Sequence, residues 1–390
     1  MDSPSTVTPI LPLRRDSTSW LNLENSPLPH LRAILYESLT SSTVMALSQH
    51  RLTTFYFDAS SKTFTEKSTT KELGYNDVLI KTTHSGICFT DVHAKEKECG
   101  LGHEGVGYIV EVGPEVKHLK TGDRIGWGWL HISCGNCSTC VTGYRQYCSQ
   151  ARGFAFSDLD QGAFSDYRII NSDFAYLIPE GISSVNAAPL MCAGASVFEA
   201  LDAAGVRSND RVGVVGIGGL GHMAVKFAKA MGCAVTAISS DGKKMSDAFS
   251  LGADEYRDMR HMSTAHHRAH AAEDPNPMNI NVLLITSNAV PNLEVVLPLL
   301  ARRATIVLMT IQMVPLQVPY MQFVLPGHRM IASTEASREN HIKMLEFADR
   351  QKIEPWIEVF DMTSEGLEEA FNRLEKGEMR YRGVVARNEA

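Results

Sequence analysis

The chain alternates most regularly between apolar runs and polar turns from residue 210 to residue 241. The run Val212-Gly213-Val214-Val215 is short, apolar and rich in β-branched residues, which predicts a buried strand. Apolar residues at helical spacing follow from residue 222 to residue 231, and a second strand-like run covers residues 234–238. Strand, helix and strand in this order predict the first βαβ unit of a parallel sheet.

The same alternation continues towards the C-terminus. We expect further strands at residues 281–285 and 304–308, with a crossover helix at residues 293–300 between them. The predicted fold class is therefore α/β, with a parallel sheet of doubly wound type. The pattern changes after residue 325, and a final strand is expected to return to the N-terminal half of the chain. The last predicted elements are amphipathic helices at 341–350 and 364–376 and a strand at 381–385.

A glycine-rich loop joins the first of these strands to the helix. Residues 216–221 read G-x-G-x-x-G, which lets the chain turn tightly and lets a pyrophosphate approach the helix N-terminus. A bare match to this pattern is weak, but a strand before it and a helix after it make it specific. The predicted contacts to a dinucleotide are Gly216, Gly218, Gly219, Leu220 and Gly221.

The end of the second strand bears on the choice of nicotinamide cofactor. An NAD enzyme usually places Asp or Glu there to bind the ribose 2′-hydroxyl. Here Ser239 and Ser240 do not repel a 2′-phosphate, and Lys243 or Lys244 can neutralise it. Asp241, in contrast, favours NAD(H), and the lysines also fit an ordinary solvated helix start. We expect NADP(H) to be preferred over NAD(H), with Ser239, Ser240 and Lys244 at the phosphate.

Four cysteines stand close together in the spacing C-x2-C-x2-C-x7-C. Four thiolates on one loop can surround a tetrahedral Zn²⁺, and a closed four-sulfur site is structural. Disulfides or free thiols are the alternative, but disulfides are typical of small secreted domains and this chain has 390 residues. Cysteines used as metal ligands indicate a reducing, cytoplasmic location. The predicted ligands are Cys134, Cys137, Cys140 and Cys148.

A second donor set is spread over three separate segments. Cys88, His103 and Cys192 together make a Cys₂His set, which leaves the fourth zinc position open, as in catalytic zinc sites. Each residue taken alone fits ordinary packing equally well. Glu104 is predicted as an occasional fourth ligand or a nearby charge. Asp91 is the natural acceptor for the far nitrogen of His103.

Thr90 and His93 are candidates for moving a proton. Thr90 lies two residues after Cys88, and His93, whose imidazole is a side-chain type that exchanges protons, lies three residues further on. Without the metal set, a turn hydroxyl and a surface histidine would be the favoured interpretation. With the metal set, we predict a relay between the active site and solvent.

Charge and hydropathy exclude some classes of partner. The net charge of −7 argues against a general affinity for nucleic acid or anionic membranes. No uninterrupted apolar run approaches the roughly 20 residues that span a bilayer. Residues 1–44 are rich in Ser, Thr, Pro and Leu and are expected to form a poorly ordered extension. Residues 261–277 contain four histidines, for which a solvated loop is favoured over a metal site.

These motifs in combination resemble the zinc-dependent medium-chain alcohol dehydrogenases, and within them the NADP-dependent cinnamyl-alcohol-dehydrogenase-like branch. The resemblance covers about residues 52–387. It implies a GroES-like β-rich catalytic domain at 45–194 and 326–390, and a Rossmann domain at 195–325. It also implies a homodimer, a catalytic zinc at Cys88, His103 and Cys192 with Glu104 adjacent, and a relay through Thr90 and His93.

One departure from the family concerns the segment between two of the predicted ligands. Only 14 residues separate Cys88 from His103, whereas relatives usually carry several more, so the substrate pocket is expected to be wider or more exposed. Cys99 in this segment is either a plain loop thiol, which we favour, or a group that interferes with the metal.

The expected function is reduction of aldehydes or oxidation of alcohols, with two zinc ions per chain and NADP(H). The substrate is then a small-molecule alcohol or aldehyde, and neither nucleic acid nor a membrane is expected as a partner. Two alternatives remain open. One is NADPH-dependent reduction of a conjugated C=C or C=N bond in specialised metabolism, and the other is a catalytically impaired nucleotide-binding relative.

Overall fold

The computed structural model describes residues 47–261 and 279–387. The strands are β1 Gln49–Asp58, β2 Thr63–Glu72, β3 Asp77–Ile87, β4 Glu104–Val112, β5 Arg124–Trp127, β6 Leu130–Ile132, β7 Arg152–Gly153, β8 Tyr167–Asn171, β9 Tyr176–Leu177, β10 Arg211–Val215, β11 Ala234–Ser239, β12 Glu255–Asp258, β13 Ile280–Ile285, β14 Leu300–Leu308, β15 Arg329–Ala332, β16 Ile357–Asp361 and β17 Arg382–Ala386. The helices are α1 Phe89–Ala94, α2 Ser138–Val141, α3 Ser184–Pro189, α4 Ala195–Ala203, α5 Gly221–Ala230, α6 Met245–Leu251, α7 Leu293–Val296, α8 Tyr320–Val324, α9 Arg338–Gln351 and α10 Ser364–Glu375.

Six parallel strands form the sheet that the apolar runs predicted. Their order is β12-β11-β10-β13-β14-β15, so the chain winds outwards in both directions from β10. This is the doubly wound arrangement, in which a dinucleotide binds where the winding direction reverses. The predicted α/β class is confirmed. The crossover helix α7 is shorter than expected and continues as a 3₁₀ turn at Leu297–Leu299, because Pro298 lacks the N–H that an α-helix needs.

The parallel sheet extends further along the chain than the sequence pattern indicated. Strand β15 pairs with β14, Thr305 opposite Arg329 and Leu308 opposite Ala332. The parallel sheet therefore continues beyond residue 325, where the Rossmann domain was expected to end. In β15, at the edge of the sheet, Arg329 and Ala332 are exposed and the two residues between them are half-buried, so the strand lacks the continuous apolar run that identifies an inner parallel strand.

A second sheet of seven strands is built from both ends of the described chain. Its order is β16-β17-β3-β4-β5-β9, with β8 also paired to β3. Strand β17 runs antiparallel to β3, with Gly383 opposite Ile87, so the last strand returns to the N-terminal half as predicted. Smaller pairs are formed by β1 with β2 and by β6 with β7. The candidate site residues that come first along the chain lie on or beside this seven-stranded sheet.

The helical run from Ser184 to Ala203 joins the two sheets. Its middle, Leu190–Gly194, is a π-helical turn between α3 and α4, and such turns are frequent at functional sites. The run is long and apolar enough to span a membrane, a feature that the sequence inspection missed, but 72% of it is buried inside the protein. Its apolar residues pack with those of β10 and α5 in the largest apolar cluster, as expected of a core helix.

Two sequence predictions fall largely outside the described residues. The expected N-terminal extension, residues 1–44, lies wholly outside them. Of the histidine-rich segment, only His261 is described, and it is exposed, with its imidazole 3.7 Å from the Asp258 carboxylate.

Candidate active site

The side chain of Cys88 is fixed by the helix that follows it. Cys88 is the N-cap residue of α1, and its Sγ accepts a hydrogen bond of 3.3 Å from the N–H of Thr90. The carboxylate of Asp91 accepts one of 3.0 Å from the N–H of Cys88. Together they form a capping box, which fixes the direction in which the helix begins. The sulfur is therefore held at the helix N-terminus, where the dipole favours a thiolate.

Asp91 also orients His103, as the sequence predicted. Its Oδ1 accepts hydrogen bonds from the N–H of Gly102 at 3.0 Å and from Nδ1 of His103 at 3.2 Å. Because a carboxylate can only accept, Nδ1 of His103 carries a proton. Nε2 lies 3.4 Å from the Sγ of Cys88. The buried carboxylate thus orients the ring so that Nε2 faces the sulfur of Cys88.

The donor atoms of Cys88, His103, Glu104 and Cys192 lie within 4.8 Å of one another. Cys192 comes from the π-helical turn, and the other residues come from the loop and strand of the β-rich half. Sulfur and nitrogen atoms at this separation can share one zinc ion at about 2.0–2.3 Å from each. The residues that are present therefore fit a Cys₂His zinc site with a carboxylate beside it.

The charges within this donor set are strongly coupled. Burial opposes ionisation of Cys88, but its hydrogen bond with Cys192 and the charge of His103 outweigh burial and lower the pKa of Cys88 well below its usual value. The same hydrogen bond raises the pKa of the Cys192 thiol. Burial raises the pKa of Glu104 to about 7. Such coupled, buried ligands of negative charge are well matched to a divalent cation, which replaces their protons.

Arg382 links this donor set to the glycine loop. Its guanidinium is buried and donates to Oε1 of Glu104, while Oε2 of Glu104 has no hydrogen-bond partner among the described residues. A Cβ added to Gly219 would lie 3.0 Å from Nη1 of Arg382, so the same side chain borders the loop. Our inspection of the sequence did not single out Arg382. An arginine at the start of the apolar run 383–385 was the available signal.

Thr90 and His93 are not seen in contact with each other. Thr90 is half-buried beside the sulfur of Cys88, and His93 is exposed on the last turn of α1. Among the described residues, no hydrogen bond joins their side chains. The predicted proton relay therefore remains a prediction.

The four-cysteine loop forms a second compact donor set. The sulfurs of Cys134, Cys137, Cys140 and Cys148 lie within 4.8 Å of one another, and none of them is in a disulfide. Gly135 at φ +71° and Gly143 at φ +95° adopt left-handed conformations that other residues rarely take, which lets the loop curl around the sulfurs. The geometry fits a tetrahedral four-sulfur site.

Cys99 belongs to neither donor set. It is 1% exposed and packs in an apolar cluster with Phe154 and Leu101. Burial raises the pKa of its thiol to about 11, so it is not a ready thiolate ligand. It therefore fits the loop-thiol interpretation.

The glycine loop has the close backbone approaches of a phosphate cradle. Gly216 takes φ +94°, and a Cβ added to Gly221 would lie 1.9 Å from the carbonyl oxygen of Gly216. A Cβ on Gly218 would meet nothing within 4 Å. The loop ends at α5, where the N–H of His222 is already bonded to the carbonyl oxygen of Gly218 at 2.9 Å, so an anion would be bound by the N–H groups just before it.

We expect Gly221→Ala to destabilise the protein by about 1–3 kcal/mol, because the added methyl group forces the backbone of Gly216 to move. Gly218→Ala is the matched control, since its methyl group enters open space. Thermal unfolding should show a lower Tm for Gly221→Ala alone, whereas Gly218→Ala should weaken dinucleotide binding without changing Tm. Equal Tm values for the two variants would contradict this description of the loop.

The predicted phosphate-binding residues differ in their exposure and in their hydrogen-bond partners. Ser239 is buried at the end of β11, and Ser240 is exposed directly after it. Lys244 is half-buried, and its Nζ donates to the carbonyl oxygen of Ile217 at 2.6 Å. Burial lowers the pKa of Lys244. Its charge therefore lies against the glycine loop. Asp241 accepts from the N–H of Lys243 at 3.0 Å, so part of its carboxylate is used by its own turn.

A largely buried acid that the sequence did not reveal lies within electrostatic range of the first donor set. Glu335 adopts φ +59°, and its Oε1 lies 3.6 Å from Nε2 of His341. Since Nδ1 of His341 faces the carbonyl oxygen of Ser337 at 3.2 Å, Nδ1 carries the proton and Nε2 is an acceptor. Neither Oε1 nor Nε2 has a hydrogen-bond partner among the described residues. Burial raises the pKa of Glu335 to about 8, so the folded protein holds a proton on this carboxyl at pH values where a free carboxyl has lost it.

The unfolding free energy should therefore fall as pH rises between about 4.5 and 8, because the folded protein keeps a proton on Glu335 that the unfolded chain has released. Glu335→Gln mimics the neutral acid and should be more stable than the parent at pH 8, by about 1–3 kcal/mol, with a smaller difference at pH 5. Glu339→Gln, at an exposed residue of α9, is the control. Denaturant titrations at both pH values test this, and a pH-independent difference would refute it.

Comparison with known proteins supports the same class. The sequence matches the alcohol dehydrogenase GroES-like domain over residues 74–180 and the zinc-binding dehydrogenase family over residues 219–350. A probable cinnamyl alcohol dehydrogenase of Populus deltoides is 36% identical over 330 residues, covering 81% of this chain and 89% of that protein. An alcohol dehydrogenase of Geobacillus stearothermophilus is 33% identical over 322 residues, covering 80% and 93% respectively.

Two solved structures share the fold over most of their length. A cinnamyl alcohol dehydrogenase of Sorghum bicolor superposes with a TM-score of 0.77 at 32% identity, covering 86% of this chain and 98% of that one. The CAD protein of Helicobacter pylori, solved in complex with NADP(H), gives a TM-score of 0.74 at 25% identity, covering 87% and 99%.

A doubly wound sheet joined to a β-rich domain that carries a Cys–His donor set defines a dehydrogenase. With these similarities, the chain belongs to the cinnamyl-alcohol-dehydrogenase-like branch of the medium-chain alcohol dehydrogenases. The family acts on small-molecule alcohols and aldehydes, as the sequence resemblance implied.

Proposed function

We propose that this protein is a zinc-dependent alcohol dehydrogenase that works as an aldehyde reductase with NADP(H). The observation that carries the proposal is the contact of Arg382 with both Glu104 and the glycine loop, which puts the first donor set and the dinucleotide cradle side by side. A hydride can be transferred only between groups in contact, so this juxtaposition is what the reaction requires.

Two zinc ions per chain fit the two donor sets. Cys88, His103 and Cys192 would hold the catalytic ion, with Glu104 adjacent, and the four-cysteine loop would hold a structural one. When bound, the catalytic zinc supplies a Lewis acid for the carbonyl oxygen, and NADPH supplies the hydride. A reducing compartment such as the cytoplasm would keep the six ligand thiols free of disulfides.

The chain's own residues position the ligands and move the proton. Asp91 holds the N–H of Cys88 and the imidazole of His103, so neither ligand needs to reorient during turnover. The backbone N–H of Thr90 donates to the Sγ of Cys88, and we propose that the hydroxyl of this residue passes a proton to or from the substrate oxygen. His93 lies on the exposed side of α1, where it can exchange that proton with water.

The preference for NADP(H) rests on charge and shape at the end of β11. Ser239 and Ser240 place small neutral groups at this point, and Lys243 is 82% exposed nearby. The Helicobacter pylori relative was solved with NADP(H), which favours the same cofactor here. Asp241, the acidic residue expected to select NAD(H), already binds its own turn.

A homodimer is proposed from an apolar surface between β14 and β15. Six apolar side chains there are between 62% and 95% exposed, and exposed apolar patches often mark contacts between proteins. We propose that a second copy of the chain covers them. The residues are Ile311, Met313, Val314, Tyr320, Met321 and Leu325.

Initial rates of aldehyde reduction, measured with NADPH and NADH side by side, test the proposed function. Cinnamaldehyde and a panel of aliphatic aldehydes are suitable substrates, and metal content and light scattering use the same sample. Two zinc ions, a dimeric mass and faster turnover with NADPH are expected. Faster turnover with NADH would overturn the cofactor preference, and reduction of a C=C bond without loss of the aldehyde would overturn the reaction class.

A further inference from the structure

The cofactor preference has a candidate determinant one strand beyond the end of β11. Strands β11 and β12 are parallel neighbours, and Ser239 is paired in register with Asp258. The carboxyl ends of both strands therefore meet at one edge of the sheet. A nicotinamide cofactor places its adenosine ribose at the end of β11, so residues just after β12 lie within reach of a 2′-phosphate.

Arg260 follows β12 at this edge and is 60% exposed. Its Nε and Nη2 donate to the two carboxylate oxygens of Asp258, at 3.1 Å and 2.6 Å. Asp258 is only 11% exposed, and its own Oδ1 also accepts from the N–H of Arg260. The fork of the guanidinium is therefore held in one orientation instead of sweeping through solvent.

The loop after β11 faces this guanidinium. A Cβ added to Gly242 would lie 3.8 Å from Nη2 of Arg260 and 3.6 Å from Oδ2 of Asp258. The loop that carries Ser240 and Asp241 and the side chain of Arg260 are thus direct neighbours. Its Nε and Nη2 are used by Asp258, and within residues 47–261 and 279–387 Nη1 donates no hydrogen bond.

The other cations at this edge are less suited to the phosphate. Lys244 donates to the carbonyl oxygen of Ile217 and is half-buried. Lys243 is 82% exposed and free to move, with its Nζ 3.9 Å from the Asp241 carboxylate. A planar guanidinium fixed by a carboxylate binds a phosphate with two parallel hydrogen bonds, which a mobile ammonium does not.

We propose that Arg260 binds the 2′-phosphate of NADP(H), and that Asp258 holds its guanidinium in place. This inference rests on the proposed use of NADP(H). In this arrangement, Nε and Nη2 remain hydrogen-bonded to Asp258, and the edge of the guanidinium that carries Nη1 faces the phosphate. Asp258 thereby makes Arg260 a fixed phosphate ligand, and the acidic Asp241 is tolerated beside it.

Isothermal titration of the full-length, zinc-loaded protein tests the proposal, with 2′,5′-ADP and 5′-AMP as probes. The parent protein is expected to bind 2′,5′-ADP more tightly. Arg260→Gln should lower the affinity for 2′,5′-ADP by about tenfold to 100-fold, because it removes a bidentate charged contact. Its affinity for 5′-AMP should stay within about twofold of the parent's. The unchanged 5′-AMP affinity also shows that the variant is folded.

Arg257→Gln is the matched control, because it removes the same charge three residues earlier, on β12 itself. If both variants lose the same small affinity for 2′,5′-ADP, the effect is long-range charge and the proposal is wrong. If the parent prefers 2′,5′-ADP and Arg260→Gln keeps that preference, Arg260 is only a surface ion pair, and the proposed cofactor stands without it. If the parent shows no preference, the proposed use of NADP(H) itself fails.

Discussion

Cys192→Ser should lower kcat/KM for aldehyde reduction by about 1,000-fold or more. Serine is a much weaker zinc ligand than a thiolate. A catalytic metal stabilises charge in the transition state by several kcal/mol, and each loss of about 1.4 kcal/mol lowers the rate about tenfold. The sulfur of Cys192 is the one ligand atom contributed by the helical run between the two sheets. Steady-state rates and metal analysis on the same sample should show the loss of turnover with the loss of one zinc.

Cys99→Ser is the control for this experiment. Cys99 lies four residues before His103 and is buried, but it belongs to neither donor set. The serine variant should keep two zinc ions and most of its activity. If Cys99→Ser loses the metal and Cys192→Ser keeps it, the assignment of the site is wrong.

Cys134→Ser should lower the unfolding free energy by at least about 3 kcal/mol, because a structural zinc binds with apparent free energies of about 10–16 kcal/mol and that binding stabilises the fold. The loop has little apolar core of its own, since Val141, Tyr144 and Tyr147 are 74%, 50% and 46% exposed. Its main other anchor is Arg145, which donates to the hydroxyl of Tyr176 at 2.5 Å.

Denaturant titration measures this effect, with Ser138→Ala as the control in the same loop. The control removes a hydroxyl between two of the cysteines and leaves all four sulfurs in place. It should unfold within about 0.5 kcal/mol of the parent, as most surface substitutions do. Equal stabilities for Cys134→Ser and the parent would show that the four sulfurs hold no structural metal.

The sequence predicted those features that depend on short-range spacing. The glycine loop and the four-cysteine loop are contiguous, so the side chains that act together are already neighbours along the chain. The set formed by Cys88, His103 and Cys192 spans about a hundred residues, so its residue types suggested a zinc site but their spacing along the chain could not show that they meet. The structure brings these donor atoms together in spite of the shortened segment, because Asp91 binds the N–H groups of both Cys88 and Gly102.

Other features depended on tertiary contacts that no local pattern contains. Arg382 reaches Glu104 across 278 residues, through the pairing of β17 with β3. The unpaired atoms of Glu335 and His341 can be recognised only from the way these side chains pack in the folded protein. Lys244 was expected at the phosphate, but its ammonium group meets the carbonyl oxygen of Ile217. In each case, the surroundings of a polar side chain are set by the folded structure and not by its neighbours along the chain.

Oxidation of NADPH on addition of an aldehyde, followed at 340 nm with the zinc-loaded protein, is the most direct test of the proposed function. We expect aldehyde-dependent oxidation that stops when Cys192 is replaced by serine and persists when Cys99 is replaced. A protein that binds two zinc ions and NADPH but oxidises neither NADPH nor NADH with any aldehyde would contradict the proposal.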